Sequence, residues 1–532
     1  MIQYLQMSNV YHALKLERCD QMNKYVFDPV KPVVETKFGK LRGVTYGDVN
    51  IFMGVKYAEA KRFQMPVDQQ PWEGIRNAYT YGPISMQLMP PNPPSYYRGL
   101  HMLQKQSEDC QNLNIWAPRT LNGEKKPVFV WMHGGGYFAG SALEEYSFDG
   151  FNMAHYGDIV FVSINHRLNI LGHMNLADYG EEFKNSVNVG IADLVAALKW
   201  IHENIEAFGG DPDNVTICGH SGGGGKVQCM YQIEEAAPYF QRGIVLSGAM
   251  GSFSDKADEN SRICAKAMLD ELGITKENIE KIYEVSFDDL AAAYRKVSRQ
   301  LAESGIRVFW GPIPNDYFPG FPGDVGFMPW SKDKPIIFGS TLGEFPMVKL
   351  TPEEKEAMSE EDKVSFLKGM FGAEADRLIS LFRNAYPKHD ILDLAYMDSM
   401  VRVPTLLAAS KHAENGKDNT YVFLASYNAP EDGWVPLWHG GEVCYIFMNE
   451  DRVFALNEPI YGQKLANIFS TMALNYAKFG DPNNKYLPKW YPFTNEHRYT
   501  MIIDRECECR EAYDEELVEL HSKVSPRPTF GP

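Results

Sequence analysis

Short, largely apolar runs recur through the middle of the chain. PVFVWMH (127–133), DIVFVSINHRL (158–168), NVTICGHS (214–221), GIVLSG (243–248) and PIIFGS (335–340) are rich in β-branched residues and too short for helices. Between the second and third lies NVGIADLVAALKWIHENIEAFGG (188–210), where Ile191, Leu194, Val195, Leu198 and Ile201 recur at helical spacing before Gly209 and Gly210. Buried strands alternating with helices predict an α/β fold: a large, mostly parallel, twisted sheet with helices on both faces. TYVFLASYN (420–428) reads as a late strand. Residues 255–305 and 352–386 are charged and helix-forming, and read as helical insertions that wall a pocket. Residues 1–34 read as an N-terminal arm, and 35–532 as one domain with those insertions.

Composition narrows the partners. With 52 Lys+Arg against 69 Asp+Glu, the net charge of −17 disfavours nucleic acid and anionic membrane surfaces. No apolar run approaches the ~18 residues of a membrane span, and the first thirty residues lack the pattern of a signal peptide. Eight cysteines in 532 residues are too few for a disulfide scaffold. Cys507 and Cys509 form a C-x-C without further ligands at metal spacing. A cytoplasmic protein is expected, with no metal or cofactor.

Two glycine motifs carry chemistry. Gly219-His220-Ser221-Gly222-Gly223 matches G-x-S-x-G at the end of the apolar strand VTIC. Such a strand-to-helix elbow lifts a serine hydroxyl clear of the sheet, and side chains beside it would clash. His133-Gly134-Gly135-Gly136 follows another buried strand; its N–H groups suit a developing oxyanion. The pair predicts a nucleophilic serine, Ser221. Among the histidines after it, His439 lies in the aromatic, glycine-flanked WVPLWHGGEVCYIF and is the expected base. His389, His412, His497 and His521 stand in polar contexts that read as solvated. His220 is a poor base, since neighbours on extended backbone point to opposite sides; it reads as a packing residue. The orienting acid is Glu344, just past PIIFGS, with Asp316 as its rival. Tyr137, Phe138, Phe345 and Trp438 adjoin these segments and read as a substrate pocket; Tyr96 and Tyr97 read as reaching its rim.

On these motifs the sequence resembles the type-B carboxylesterases, which include cholinesterases and para-nitrobenzyl esterases. The resemblance runs from about Val34 to Asp504. It rests on SEDCQNLNIWAP (107–118), HGGGYFAGS (133–141), NHRLNILG (165–172), ALKWIHENIEAFGGDPDNVTICGHSGGG (197–224), FGSTLGEF (338–345), HGGE (439–442) and KFGDPN (478–483) followed by Trp490. It implies an α/β-hydrolase fold with a gorge above the serine. It also implies Ser221, Glu344 and His439 as a triad, and the N–H groups of Gly135, Gly136 and Gly222 as an oxyanion hole. The implied activity is hydrolysis of small to medium apolar or aromatic esters through an acyl-serine; amides or lactones are the alternative. The family also contains non-catalytic interaction proteins that have lost triad residues, whereas all three residues stand here. The chain departs from the family at His220, usually Glu, at Gly222, usually Ala, and at Phe345, usually Gly. Ser85 stands where secreted members place the partner of Cys110, so no such disulfide is expected.

Overall fold

The apolar runs form the strands of one large sheet. In the computed structural model, residues 24–88, 102, 104–119, 123–251, 254–346, 348–430 and 433–525 are described; Tyr96 and Tyr97 lie outside them. In chain order the strands are Tyr25–Val26 (β1), Val44–Tyr46 (β2), Val49–Lys56 (β3), Asn112–Pro118 (β4), Lys126–Met132 (β5), Val160–Ile164 (β6), Gly210–His220 (β7), Arg242–Leu246 (β8), Ile336–Thr341 (β9), Thr420–Ala425 (β10), Tyr499–Ile503 (β11) and Glu508–Glu511 (β12). They lie in the order β1-β2-β3-β4-β6-β5-β7-β8-β9-β10-β11-β12. From β6 to β11 every neighbouring pair is parallel. The outer strands pair antiparallel at both ends. The stretch read from sequence as an arm thus enters the sheet at Tyr25–Val26. Strands β1, β4, β11 and β12 have no counterpart in the sequence reading, because their short or partly polar runs resemble loops.

Alternation along β5 explains why both faces are covered. Val128, Val130 and Met132 join one core with Ile191, Leu194 and Leu198 of α1 (Val189–Asn204) and Val227 and Met230 of α2 (Gly222–Gln232). Phe129 and Trp131 face the other way. They join a second core with Leu465, Phe469 and Met472 of a long helix, Gly462–Phe479. Each such side chain contributes roughly 1.5–3 kcal/mol of burial. The first insertion folds as α3 (Ala257–Glu271) and α4 (Phe287–Glu303), and packs Leu269, Leu290 and Val297 on Ile170, Leu171 and Phe183. Residues 352–386 also fold as helices, among them Glu360–Phe371 and Ala375–Ala385.

Topology fixes where a site can form. The chain passes from β5 to β6 on one side, then crosses back to β7 on the other side of β5. Loops leaving the carboxyl ends of β5 and β7 therefore diverge and leave a crevice between them, the usual ligand position in open α/β sheets. HGGG leaves β5 there, and Ser221 leaves β7. A buried ion pair braces this region: Arg167, just past β6, donates from Nε and Nη2 to Asp193 of α1 at 2.8 and 2.6 Å.

Candidate active site

Ser221 links β7 directly to α2 with φ 56° and ψ −126°, a conformation unfavourable for any residue but glycine. The strain is held from two sides. Its N–H donates to the Leu246 carbonyl at the end of β8, and its own carbonyl accepts from Gly225 N–H. As the first residue of α2, Gly222 presents an N–H with no intrahelical acceptor.

The glycine loop after β5 lies against this elbow. Gly135 and Gly136 take φ of 80° and 63°, the left-handed region that glycine adopts without cost. A methyl group added at Gly222 would fall 2.3 Å from the Gly136 carbonyl oxygen and 2.4 Å from its Cα. Contact with backbone cannot be relieved by a rotamer change. The residue usual in the family at this position is therefore excluded here unless the loop moves. Gly222→Ala is expected to lower kcat about tenfold or more by displacing Gly136, with KM changed far less; steady-state kinetics on a chromogenic ester checks this, and unchanged kcat would mean that the loop yields freely. At its far end the loop is held by Gln87, which donates to the Gly140 carbonyl and accepts from Gly140 N–H.

His439 and Glu344 meet from distant parts of the chain. Past β9, Gly343 bridges to Trp438, and His439 N–H donates to the Glu344 carbonyl at 3.1 Å. The imidazole Nδ1 lies 2.6 Å from Glu344 Oε2. Glu344 Oε1 accepts from Thr341 N–H at 2.7 Å and from the Ser247 hydroxyl at 2.6 Å. Its side chain is wholly buried. Nearby, burial and the Glu344 charge push Glu442 up to about 8. Glu442 therefore keeps its proton at neutral pH. Burial and Glu344 likewise raise Asp398 to about 6.

Two rings enclose the imidazole. His220 lies with its ring centroid 4.3 Å from that of His439, and Phe345 at 4.2 Å. His220 thus joins the serine's elbow to the histidine loop. Burial and His439 hold His220 well below the ordinary histidine range, so it stays neutral.

The other sequence candidates fall elsewhere. Asp316 is exposed. Only His497 among the four remaining histidines is exposed. His389 is nearly buried between Asp393 and Asp504, His412 is bonded to Thr420 and the Lys334 carbonyl, and His521 is bonded to Ser399 and Ser525. Their polar sequence contexts reflect buried hydrogen bonding rather than solvation. Of the aromatic candidates, Phe138 is half exposed with its ring edge against Gly136, and Phe345 packs on His439. Tyr137 turns into the core, with its hydroxyl 3.7 Å from Cys229 Sγ and its ring against His173. Trp438 is also buried. Sequence reasoning missed Ser247 and Glu442. Ser247, the penultimate residue of GIVLSG, has φ 47°, and the backbone strain was invisible in the letters; Glu442 was visible only as the last residue of HGGE.

A family model described as "Carboxylesterase family" matches residues 30–520. The chain belongs to the carboxylesterase family. Para-nitrobenzyl esterase of Bacillus subtilis is 28% identical over 485 residues, covering 89% of this chain and 95% of its own. Phenmedipham hydrolase of Pseudarthrobacter oxydans is 30% identical, covering 90% and 96%. Among solved structures, an esterase from anaerobic Clostridium hathewayi that can hydrolyze aliphatic aromatic polyesters superposes with a TM-score of 0.89 at 39% identity, covering 94% of this chain and 99% of that one. This carboxylesterase has the α/β-hydrolase fold and is a serine hydrolase of carboxylic esters.

Proposed function

We propose that Ser221, His439 and Glu344 are the catalytic triad of this esterase, that the N–H groups of Gly135, Gly136 and Gly222 form its oxyanion hole, and that it acts on small to medium apolar or aromatic esters. The observation that carries this reading is the 2.6 Å contact between His439 Nδ1 and the buried Glu344 carboxylate. That bond fixes the tautomer with a proton on Nδ1, which leaves Nε2 free to accept one. His439 takes the Ser221 proton as the hydroxyl attacks the carbonyl. The tetrahedral oxyanion sits on the glycine N–H groups. His439 then protonates the departing alcohol, and water, deprotonated by the same imidazole, releases the acid. No step requires a metal or cofactor.

Phe138 and Phe345 form the apolar wall of the substrate site in this reading, while Tyr137 and Trp438 brace it from within. The likeness to the Clostridium hathewayi esterase extends the candidate substrates to aliphatic aromatic polyesters. A panel of para-nitrophenyl esters from acetate to palmitate, with benzoate and a dialkyl terephthalate, tests the assignment. Highest kcat/KM is expected on short and medium acyl chains, with measurable cleavage of both aromatic esters. A preference for palmitate, or for amides or lactones over esters, would overturn the substrate class.

Residues 35–532 are read as one domain of this fold. The cysteines among the described residues, Cys110, Cys218, Cys229, Cys264, Cys444, Cys507 and Cys509, are free. That supports a reducing compartment such as the cytoplasm. Among the described residues no helix is long and apolar enough to cross a membrane.

A further inference from the structure

Lys226 lies one turn into α2, behind the nucleophile elbow, with no exposure to solvent. Lysines are almost never fully buried without a partner. Here Nζ donates to the His133 carbonyl at 2.9 Å, at the root of the glycine loop. The helix meets the same segment a second time: a methyl group on Gly223 would fall 2.1 Å from the Met132 carbonyl oxygen and 2.8 Å from that of His133. Loop and helix therefore touch through bare backbone above and through the lysine below. The Tyr137 ring lies 5.9 Å from Nζ.

We infer that Lys226 is a positioning residue for the oxyanion hole: by gripping the His133 carbonyl, it holds Gly135 and Gly136 in register with Gly222. This rests on the assignment of those glycines as oxyanion donors. Preorganised donors stabilise a developing charge only if they need not move at the moment of reaction. A buried hydrogen bond from Nζ to the first peptide of the loop supplies that stiffness.

The groups around the ammonium agree with this role. Glu144, His133, His166, His173 and Tyr137, from elements packed around α2, and Cys229 of α2 itself lie around it. Burial and the Lys226 charge hold His133 and His166 well below the ordinary range, so these imidazoles stay neutral. Burial lowers Lys226 itself to about 7, against the pull of Glu144. An apolar residue would fill this interior site at lower electrostatic cost. The lysine's presence therefore asks for a function that an apolar side chain cannot perform.

Lys226→Met removes charge and donor at nearly constant volume; Lys226→Gln keeps a donor. Folding is checked by thermal melts, and each variant is assayed on para-nitrophenyl butyrate. Each is also titrated with an alkyl trifluoromethyl ketone, whose carbonyl adds the serine oxygen and leaves an oxyanion in the hole while His439 holds the proton. The methionine variant is expected to lose about 10- to 100-fold in kcat, with KM within about threefold and ketone affinity falling in parallel. Lys226→Gln should recover at least about fivefold over methionine. The inference is overturned if folded Lys226→Met keeps wild-type kcat and ketone affinity. It is equally overturned if glutamine recovers nothing, or if activity falls only with the folded fraction. Labelling of wild-type Ser221 by a fluorophosphonate separates the two readings: labelled Ser221 with an indifferent Lys226 sinks this inference alone, while an unlabelled Ser221 sinks the catalytic assignment as well.

Discussion

Ser221→Ala is expected to lower kcat on para-nitrophenyl butyrate by about 10³-fold or more, with the melting temperature preserved or raised. The hydroxyl is the only group in this mechanism that bonds covalently to the acyl carbon, so no neighbour can replace it. What survives is the contribution of the glycine N–H groups and of binding to attack by water. Stability should not suffer, because the elbow is held by the Ser221 backbone: its N–H on the Leu246 carbonyl and its carbonyl under Gly225 N–H. Alanine retains both bonds. Stopped-flow measurement should show the acyl burst of the wild type and none in the variant. Turnover near the wild-type rate, or a retained burst, would move the nucleophile to another side chain.

The second large effect is expected from Glu344→Gln, about 10³- to 10⁴-fold in kcat. The two carboxylate oxygens of Glu344 have different partners. Oε1 accepts from Thr341 N–H and Ser247, so the amide oxygen of glutamine is drawn to that position. The amide NH₂ then faces His439 Nδ1 in place of Oε2. A donor there forces the proton of the neutral imidazole onto Nε2, where it cannot accept from Ser221. The imidazolium formed during attack also loses its buried counter-charge. Glu344→Asp keeps the charge but withdraws it by one methylene, and should retain more activity than glutamine. Comparing the two variants with the wild type on one chromogenic ester checks the order. Equal activity of glutamine and wild type would make Glu344 a structural carboxylate only.

Ser247 ties the two buried carboxyl groups of the site together: its hydroxyl lies 2.6 Å from Glu344 Oε1 and 3.5 Å from Glu442 Oε1. Ser247 gives Glu344 a hydroxyl hydrogen bond, and Glu442 keeps its own proton because burial and the Glu344 charge push it to about 8. Two carboxyl groups this close cannot both ionise in a low-dielectric interior.

The sequence by itself determined the parallel core of the sheet and the segments from which the site is assembled. Strands buried on both faces must be apolar along their whole length, and a nucleophile elbow must be glycine-rich; both requirements are local, and both are written in adjacent letters, as in VFVWMHGGG and VTICGHSGG. Only the tertiary structure decided which distant groups meet. The pairing of Glu344 with His439, the clasp of His439 between His220 and Phe345, and the grip of Lys226 on the His133 carbonyl are contacts between loops and helices far apart in the chain. The same limit misplaced Tyr137 in the pocket and His389, His412 and His521 in solvent. Whether a polar or aromatic side chain faces water, a partner or the core depends on what packs above it, and that is set by segments distant in the chain, not by its neighbours in sequence.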